Sequence, residues 1–425
     1  MRCWFGLLLL TVVWGCASSP LAQQVEARDW AGVERAVRDA EARGEWTSQD
    51  TQDLAQRVLE VEIKAAPSTA AKQWIPGLRG CAGAVLPVLK ARARSSDATA
   101  AAITRILIEL DAVSLDELVD DYGASSDPLW RAVAMRSAVA SDHATLRLQG
   151  LRDADSDVRR AALIAVREAA TRGKSPVPVE ELLQIARHDP EAINRSLAAR
   201  AATSQGNERA ILYLRDYWRE VPLDERVTYT EAWAQSGALA AGGERELEWV
   251  MGTDSSMPGV VAALALQHRS EGARAVLVRT LHRGALREQS FAARMVALQF
   301  PELLAALKKL LKESGLDNNL KVSILERLAA APKESRAAIA ELKKLASSTS
   351  DAAAAARHAL ANLGDGSVEA GLLGELGFGS AHGRLEAAAA LLALGRDTKV
   401  AALLADRQRE TRVRAACLVR ATQPQ

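Results

Sequence analysis

The chain has 425 residues, 48% of them apolar but only 4% aromatic, so a large core is available and Ala, Leu and Val must build it. Lys and Arg (54) balance Asp and Glu (53), leaving a formal charge of +1. No global field draws such a protein to nucleic acid or to an anionic membrane surface.

The chain opens with a short positive start, Met1-Arg2, and an apolar run from Trp4 to Trp14 broken only by Gly6 and Thr11. The run is too short to span a bilayer and fits the core of a secretory signal. It ends at Val13-Trp14-Gly15-Cys16, which resembles a bacterial lipobox, although Trp14 stands where a small residue is usual. The resemblance implies a signal peptide over 1–16 and a lipid on Cys16. Ala17 in place of Asp implies an outer-membrane lipoprotein facing the periplasm. The alternative is simple cleavage after Ala22, which gives a soluble periplasmic or secreted protein. Residues 17–24, with Ser18, Ser19, Pro20 and Gln23-Gln24, read as a flexible tether.

Residues 25–66 read as a helix pair, "WAGVERAVRDAEARGEW" and "SQDTQDLAQRVLEVEIKAA", with Ser48 as a candidate N-cap. Their polar character fits a cap on the end of a helical array. Residues 67–425 show no sustained period-two alternation. Apolar helical periodicity alternates with short polar turns instead.

The pattern repeats. In "DADSDVRRAALIAVREAA" (153–170), Val158, Ala162, Ala165, Val166 and Ala169 share one helical face. Comparable helices are anchored at Trp130, Ile193, Val227, Val260, Phe291, Val322, Ala354, Leu385 and Val413. Second helices such as "VPVEELLQIAR" and "PELLAALKKLLKES" lie between them. The unit is an αα-hairpin of roughly thirty residues whose apolar faces need stacked neighbours.

"LRDADSDVRRAA" (151–162) resembles the HEAT-like repeat of the compact, phycobilisome-lyase type: Leu, Asp, then Val-Arg and Ala. "LADRQRETRVRAA" (404–416) echoes it with Val413-Arg414, and "SSDPLWRAVA" keeps Asp127 and Arg131. The resemblance runs from about Pro67 to Thr422 and implies an all-α fold, an α-solenoid of stacked antiparallel hairpins forming a HEAT-like superhelix. It gives Asp153, Val158, Arg159, Val413 and Arg414 structural roles, with the arginine tying neighbouring repeats together through a turn aspartate. Tetratricopeptide repeats have a similar period, but their Trp-Leu-Gly-Tyr and Ala-Phe-Pro spacing does not recur; a secreted tetratricopeptide-like adaptor is the structural rival.

The alternating aspartates 153, 155 and 157 suggest a calcium loop. Such a loop needs Gly at its sixth place and Glu at its twelfth, and Val158 and Ile164 stand there. The aspartates fit a helix N-terminus better, with Asp155 or Asp157 as the cap. No metal site and no cofactor is expected. The six histidines are scattered, and no phosphate loop, dinucleotide fingerprint or nucleophile elbow appears. Cys81 and Cys417 lie far apart in the chain. In an elongated array they would be far apart in space, so they read as two buried thiols without a disulfide.

Two surfaces read as candidate partner sites. One is the acidic stretch holding Asp116, Glu117, Asp120 and Asp121, whose simpler reading is a solvated helix face. The other is the aromatic concentration that includes Tyr217 and Trp218, whose simpler reading is gap-filling between Ala-rich helices. Lys308, Lys343 and their neighbours interleave with carboxylates and read as helix-surface pairs. The expectation is a non-catalytic, monomeric scaffold that binds protein or peptide partners, meets the membrane only through its lipid, and does not bind nucleic acid. The rival expectation is an enzyme, because HEAT-like repeats also occur in bilin lyases and alkyl-purine DNA glycosylases.

Overall fold

The computed structural model describes residues 19–65, 78, 81, 85, 123–137, 143–174, 176–313 and 315–422. The protein is all-helical, with no strand among the described residues. In chain order the helices are α1 (Pro20–Glu26), α2 (Trp30–Ala42), α3 (Ser48–Lys64), α4 (Pro128–Ser137), α5 (Ala144–Leu151), α6 (Ser156–Thr171) and α7 (Val179–His188). There follow α8 (Ala192–Ser204), α9 (Glu208–Tyr217), α10 (Leu223–Trp233), α11 (Glu244–Thr253), α12 (Met257–Leu266), α13 (Glu271–Arg283) and α14 (Leu286–Met295). The last are α15 (Pro301–Leu310), α16 (Asn318–Ala329), α17 (Ser335–Ala346), α18 (Ala353–Asn362), α19 (Glu369–Phe378), α20 (Ala381–Ala393) and α21 (Arg409–Ala421). A π-helical stretch, Leu239–Gly243, precedes α11, and a 3₁₀ segment, Asp397–Ala405, precedes α21.

Local chemistry sets the ends of these helices. The α3 cap is Thr47, not Ser48: Thr47 and Asp50 form a reciprocal capping box, which satisfies amides the helix leaves open. Ser48 instead donates its hydroxyl to Asp397, 2.8 Å away. At α6 the cap is Asp155, which accepts from the amides of Asp157 and Val158. The same helix stops at Gly173, whose φ of 66° lets the Lys174 amide turn back to the Ala169 carbonyl.

One series of helices packs neighbour to neighbour: α4, α6, α8, α10, α12, α14, α16, α18, α20, α21. Most of the helices between them pack chiefly on the members that flank them in sequence. The core between the layers is built from small residues. Ala161, Ala162, Ala165, Ala198, Ala199, Ala201 and Ala202 are all buried on α6 and α8, so these helices approach closely. On α5, Gly150 permits an equally tight fit: a Cβ there would collide with Met135 on α4 and Ala162 on α6.

The series does not stop at α21. That helix packs against α3, and the 3₁₀ segment packs against both α2 and α3. The helices nearest the two chain ends are thus side by side. Cys81 and Cys417 form a disulfide across 336 residues, with Cα atoms 5.1 Å apart. This overturns the expectation of two unpaired thiols. That expectation assumed ends held apart by an elongated array, and here the ends meet. Both cysteines are buried, as expected.

Candidate functional site

The most regular chemistry in the fold is an arginine device that recurs at four helix starts. In each, one terminal guanidinium nitrogen donates to the two carbonyls six and five residues upstream. Arg131 reaches Ser125 and Ser126, Arg159 reaches Asp153 and Ala154, and Arg195 reaches Asp189 and Pro190. Arg412 reaches Asp406 and Arg407. The pattern clamps the turn onto the helix it feeds and satisfies carbonyls that have no helical partner.

In two of the four the rest of the same guanidinium also bridges forward to the next turn. Arg131 binds Asp153 through both carboxylate oxygens, at 2.8 and 2.9 Å. Arg159 binds Asp189 likewise, at 2.7 and 3.2 Å. These two forked pairs are stronger and more directional than single contacts. Arg384 meets Asp406 through one nitrogen only. The Arg131 guanidinium holds the Asp153 carboxyl below its ordinary range. Burial works against the charge of Asp189, but Arg159, the Glu191 amide and Asn194 outweigh it and keep that carboxyl low as well.

The device sets the register of these helices and corrects three sequence assignments. The equivalent of Arg159 near the C-terminus is Arg412, not Arg414. Arg414 is half exposed and pairs only with Glu410 one turn away. Val413 is buried, but Thr411 takes the place of Val158. In the third unit the buried anchor is Asn194, and Ile193 is exposed. Asn194 is held there by the Ser156 carbonyl at 3.1 Å. Asp127 keeps a capping role on Leu129, equivalent to that of Asp155, while Ser125 stands where Asp153 would be.

Each of the three alternating aspartates has its own partner. Asp153 takes Arg131, Asp155 caps α6, and Asp157 pairs with Arg160 at 3.0 Å. Among the described residues no group of three or more His, Cys, Asp or Glu side chains could hold a metal ion.

The densest charge cluster lies where α21 meets α3, and the sequence reading missed it. Glu62 is fully buried on α3. Its carboxylate accepts from Arg412 (Nε at 3.2 Å), pairs with Arg409 at 2.6 Å, and meets Arg28 at 3.5 Å. Arg412 also lies over the Trp30 ring, 4.3 Å from its centroid. Gln52 donates to the Val419 carbonyl and accepts from Arg420. Arg28 is the one non-glycine residue with positive φ among those described, at 58°. Burial and its like-charged neighbours push the Arg409 guanidinium down, with Glu62 opposing them. The signal for this cluster was Glu62 itself, a carboxylate four residues from Val58 on the buried face of α3.

The aromatic cluster is mainly core. Trp218 is buried, stacked on Trp233 at 5.4 Å and edge-on to Trp249 at 6.1 Å. It is therefore not a partner surface, which corrects its candidacy. It fills space that Ala side chains leave. Tyr217 is 39% exposed and packs on Tyr213 at 4.6 Å. Beside it a shallow cleft between α7 and α9 is lined by Glu180, Arg187, Arg209 and Asp216. Cys16, Asp116, Glu117, Asp120 and Asp121 lie outside the described residues. Lys308 and Lys343 pair with Glu334 and Asp365, at 2.5 and 2.7 Å.

His358 and Glu375 are 2.7 Å apart, and Arg357 holds the other Glu375 oxygen. Arg357 also donates to the Ala346 carbonyl, so the trio joins three successive helices, α17, α18 and α19.

No protein-family model matches the chain, and no curated protein matches it.

Proposed function

We propose that the chain is a HEAT-like superhelix, closed on itself at the α3–α21 joint, that serves as a non-catalytic extracytoplasmic scaffold for protein or peptide partners. The repeated arginine clamp supports the HEAT-like part of this reading. At Arg131 and Arg159 it ties one hairpin to the next in the way the resemblance implies. The Cys81–Cys417 disulfide carries the extracytoplasmic part. Structural disulfides persist in oxidising compartments and are rare where thiols are kept reduced. The apolar leader and Cys16 agree with export and with a lipid anchor in the outer membrane.

In this reading the polar chemistry is spent on shape. Asp153, Asp189, Asp406 and Glu62 all hold arginines that join helices. A frame locked in this way offers partners a preorganised surface, which lowers the ordering cost of binding.

The test uses the full chain expressed with its leader. The envelope fraction should hold protein that runs faster on a gel without reductant than with it. Cys16→Ser should release it from the membrane and end fatty-acid labelling. Reduced, unprocessed protein in the soluble cell fraction would overturn the reading. An unmutated chain that is exported and disulfide-bonded but soluble and unlabelled would overturn only the lipid anchor.

A further inference from the structure

Two guanidinium groups of the packed helix series take no part in the clamp. Arg167 lies on α6 and Arg200 on α8, both half-buried, and α6 packs directly on α8. The other arginines of these helices are engaged. Arg159 holds Asp189, Arg160 pairs with Asp157, and Arg195 grips its own turn. Among the described residues Arg167 and Arg200 have no hydrogen-bond or ion-pair partner, and the Arg200 Nε is buried and unsatisfied.

Such an arrangement is costly without a ligand. A buried donor left unpaired loses the hydrogen bonds it had in water, and an uncompensated charge costs more. Burial pushes the Arg200 guanidinium down, and the positive charge of Arg167 adds to that. Only the exposed Glu231 and the hydroxyl of Tyr229 on α10 act in the other direction. Burial also holds the Tyr229 hydroxyl protonated, its pKa raised to about 12, so it remains a donor. The location holds two forked cations and a phenol on three successive packed helices.

We propose that Arg167 and Arg200 form an oxyanion-binding site between α6 and α8 that takes a carboxylate or phosphate group. Guanidinium forks match the planar spacing of such oxygens, and two of them can share one anion. An anion there would satisfy the Arg200 Nε and relieve the repulsion between the two cations. The site does not depend on the scaffold reading or on the compartment.

The site is tested by thermal unfolding and calorimetric titration of the full chain at fixed ionic strength. Inorganic phosphate and acetate are the two probes, with chloride as background. The unmutated chain should gain melting temperature saturably with at least one probe, and the better probe identifies the source. Arg200→Met should weaken binding of that probe at least tenfold. In chloride it should melt at the same temperature as the unmutated chain or higher, because it removes an unpaired charge. Arg167→Met should weaken binding too, and it serves alone if the first variant does not fold. An unmutated chain indifferent to both anions would overturn the proposal. So would an equal response in the variants, or a melting temperature for Arg200→Met that falls in chloride.

Discussion

The joint between α6 and α8 and the joint between α21 and α3 use the same device and do different work. In the first, Arg159 spans 30 residues of chain to Asp189. In the second, Arg412 spans 350 residues to Glu62. Closing the longer loop costs about 2 kcal/mol more in chain entropy. The longer joint also carries more: a carboxylate shared by three arginines, a ring under a guanidinium, and a disulfide. Neighbouring hairpins are held near one another by their own short turns, so a single forked pair suffices to set their register. Chain ends have no such tether, and the cross-links supply it.

If that contrast is right, the joint at α3 is where the fold is most easily broken. Glu62→Ala leaves Arg412 buried with no carboxylate to hold it. We expect a loss of about 4 kcal/mol, the scale for orphaning one side of a buried pair, read from denaturant unfolding. X-ray scattering should show a larger radius of gyration as the ends part. An unchanged midpoint would mean the cluster is not what joins the ends.

Cys417→Ser removes the covalent link and is expected to cost about 3 kcal/mol, in the usual range for a native disulfide. Reductant on the unmutated chain should reproduce the effect. Its loss should be less than additive with Glu62→Ala, because either change opens the same joint. Full additivity would show the two to be independent.

The ordinary joints should be weaker. Arg159→Ala leaves Asp189, whose side chain is 2% exposed, without its partner. We expect about 2 kcal/mol, and about 0.5 kcal/mol or less for Arg414→Ala, an exposed pair within one helix. Equal effects for the two would restore Arg414 as the repeat arginine and undo the register given above.

Acid separates the joints by chemistry. Asp153 and Asp189 ionise more readily in the folded chain than in the unfolded one. Their stabilisation is complete above the unfolded carboxylate pKa of about 3.9 and is lost as pH falls through the folded values. Asp365, bonded to Lys343, is lowered too, to about 2, and loses its contribution in the same direction. Circular dichroism from pH 5 to pH 2 should therefore show the arginine-bridged joints failing while the disulfide persists. The step should be smaller than those of the substitutions above. A flat profile would mean the pairs contribute nothing.

The hairpins were legible in the sequence because their signals are local. Val158, Ala162, Ala165, Val166 and Ala169 lie within three turns, and periodicity alone marks their buried face. The pairing of Arg131 with Asp153 also sits within 22 residues of chain. Near the C-terminus the pattern "TRVRAA" offers two arginines, and the Val-Arg match chose the wrong one. Only the turn carbonyls of Asp406 and Arg407 distinguish Arg412. The disulfide was not legible, since Cys81 and Cys417 are 336 residues apart and meet only through the packing of α21 against α3. No local pattern encodes a contact across so long a stretch of chain.

Ser19 caps α1, and Thr422 caps the end of α21. Both helices rest on α3, so the two capping residues belong to elements held by a common neighbour. A circular permutant follows directly: a flexible linker from Thr422 to Ser19, with new termini opened at the exposed Gly173 turn. Such a chain retains the packing of α21 on α3 while turning a contact between opposite stretches of the sequence into one between neighbouring stretches.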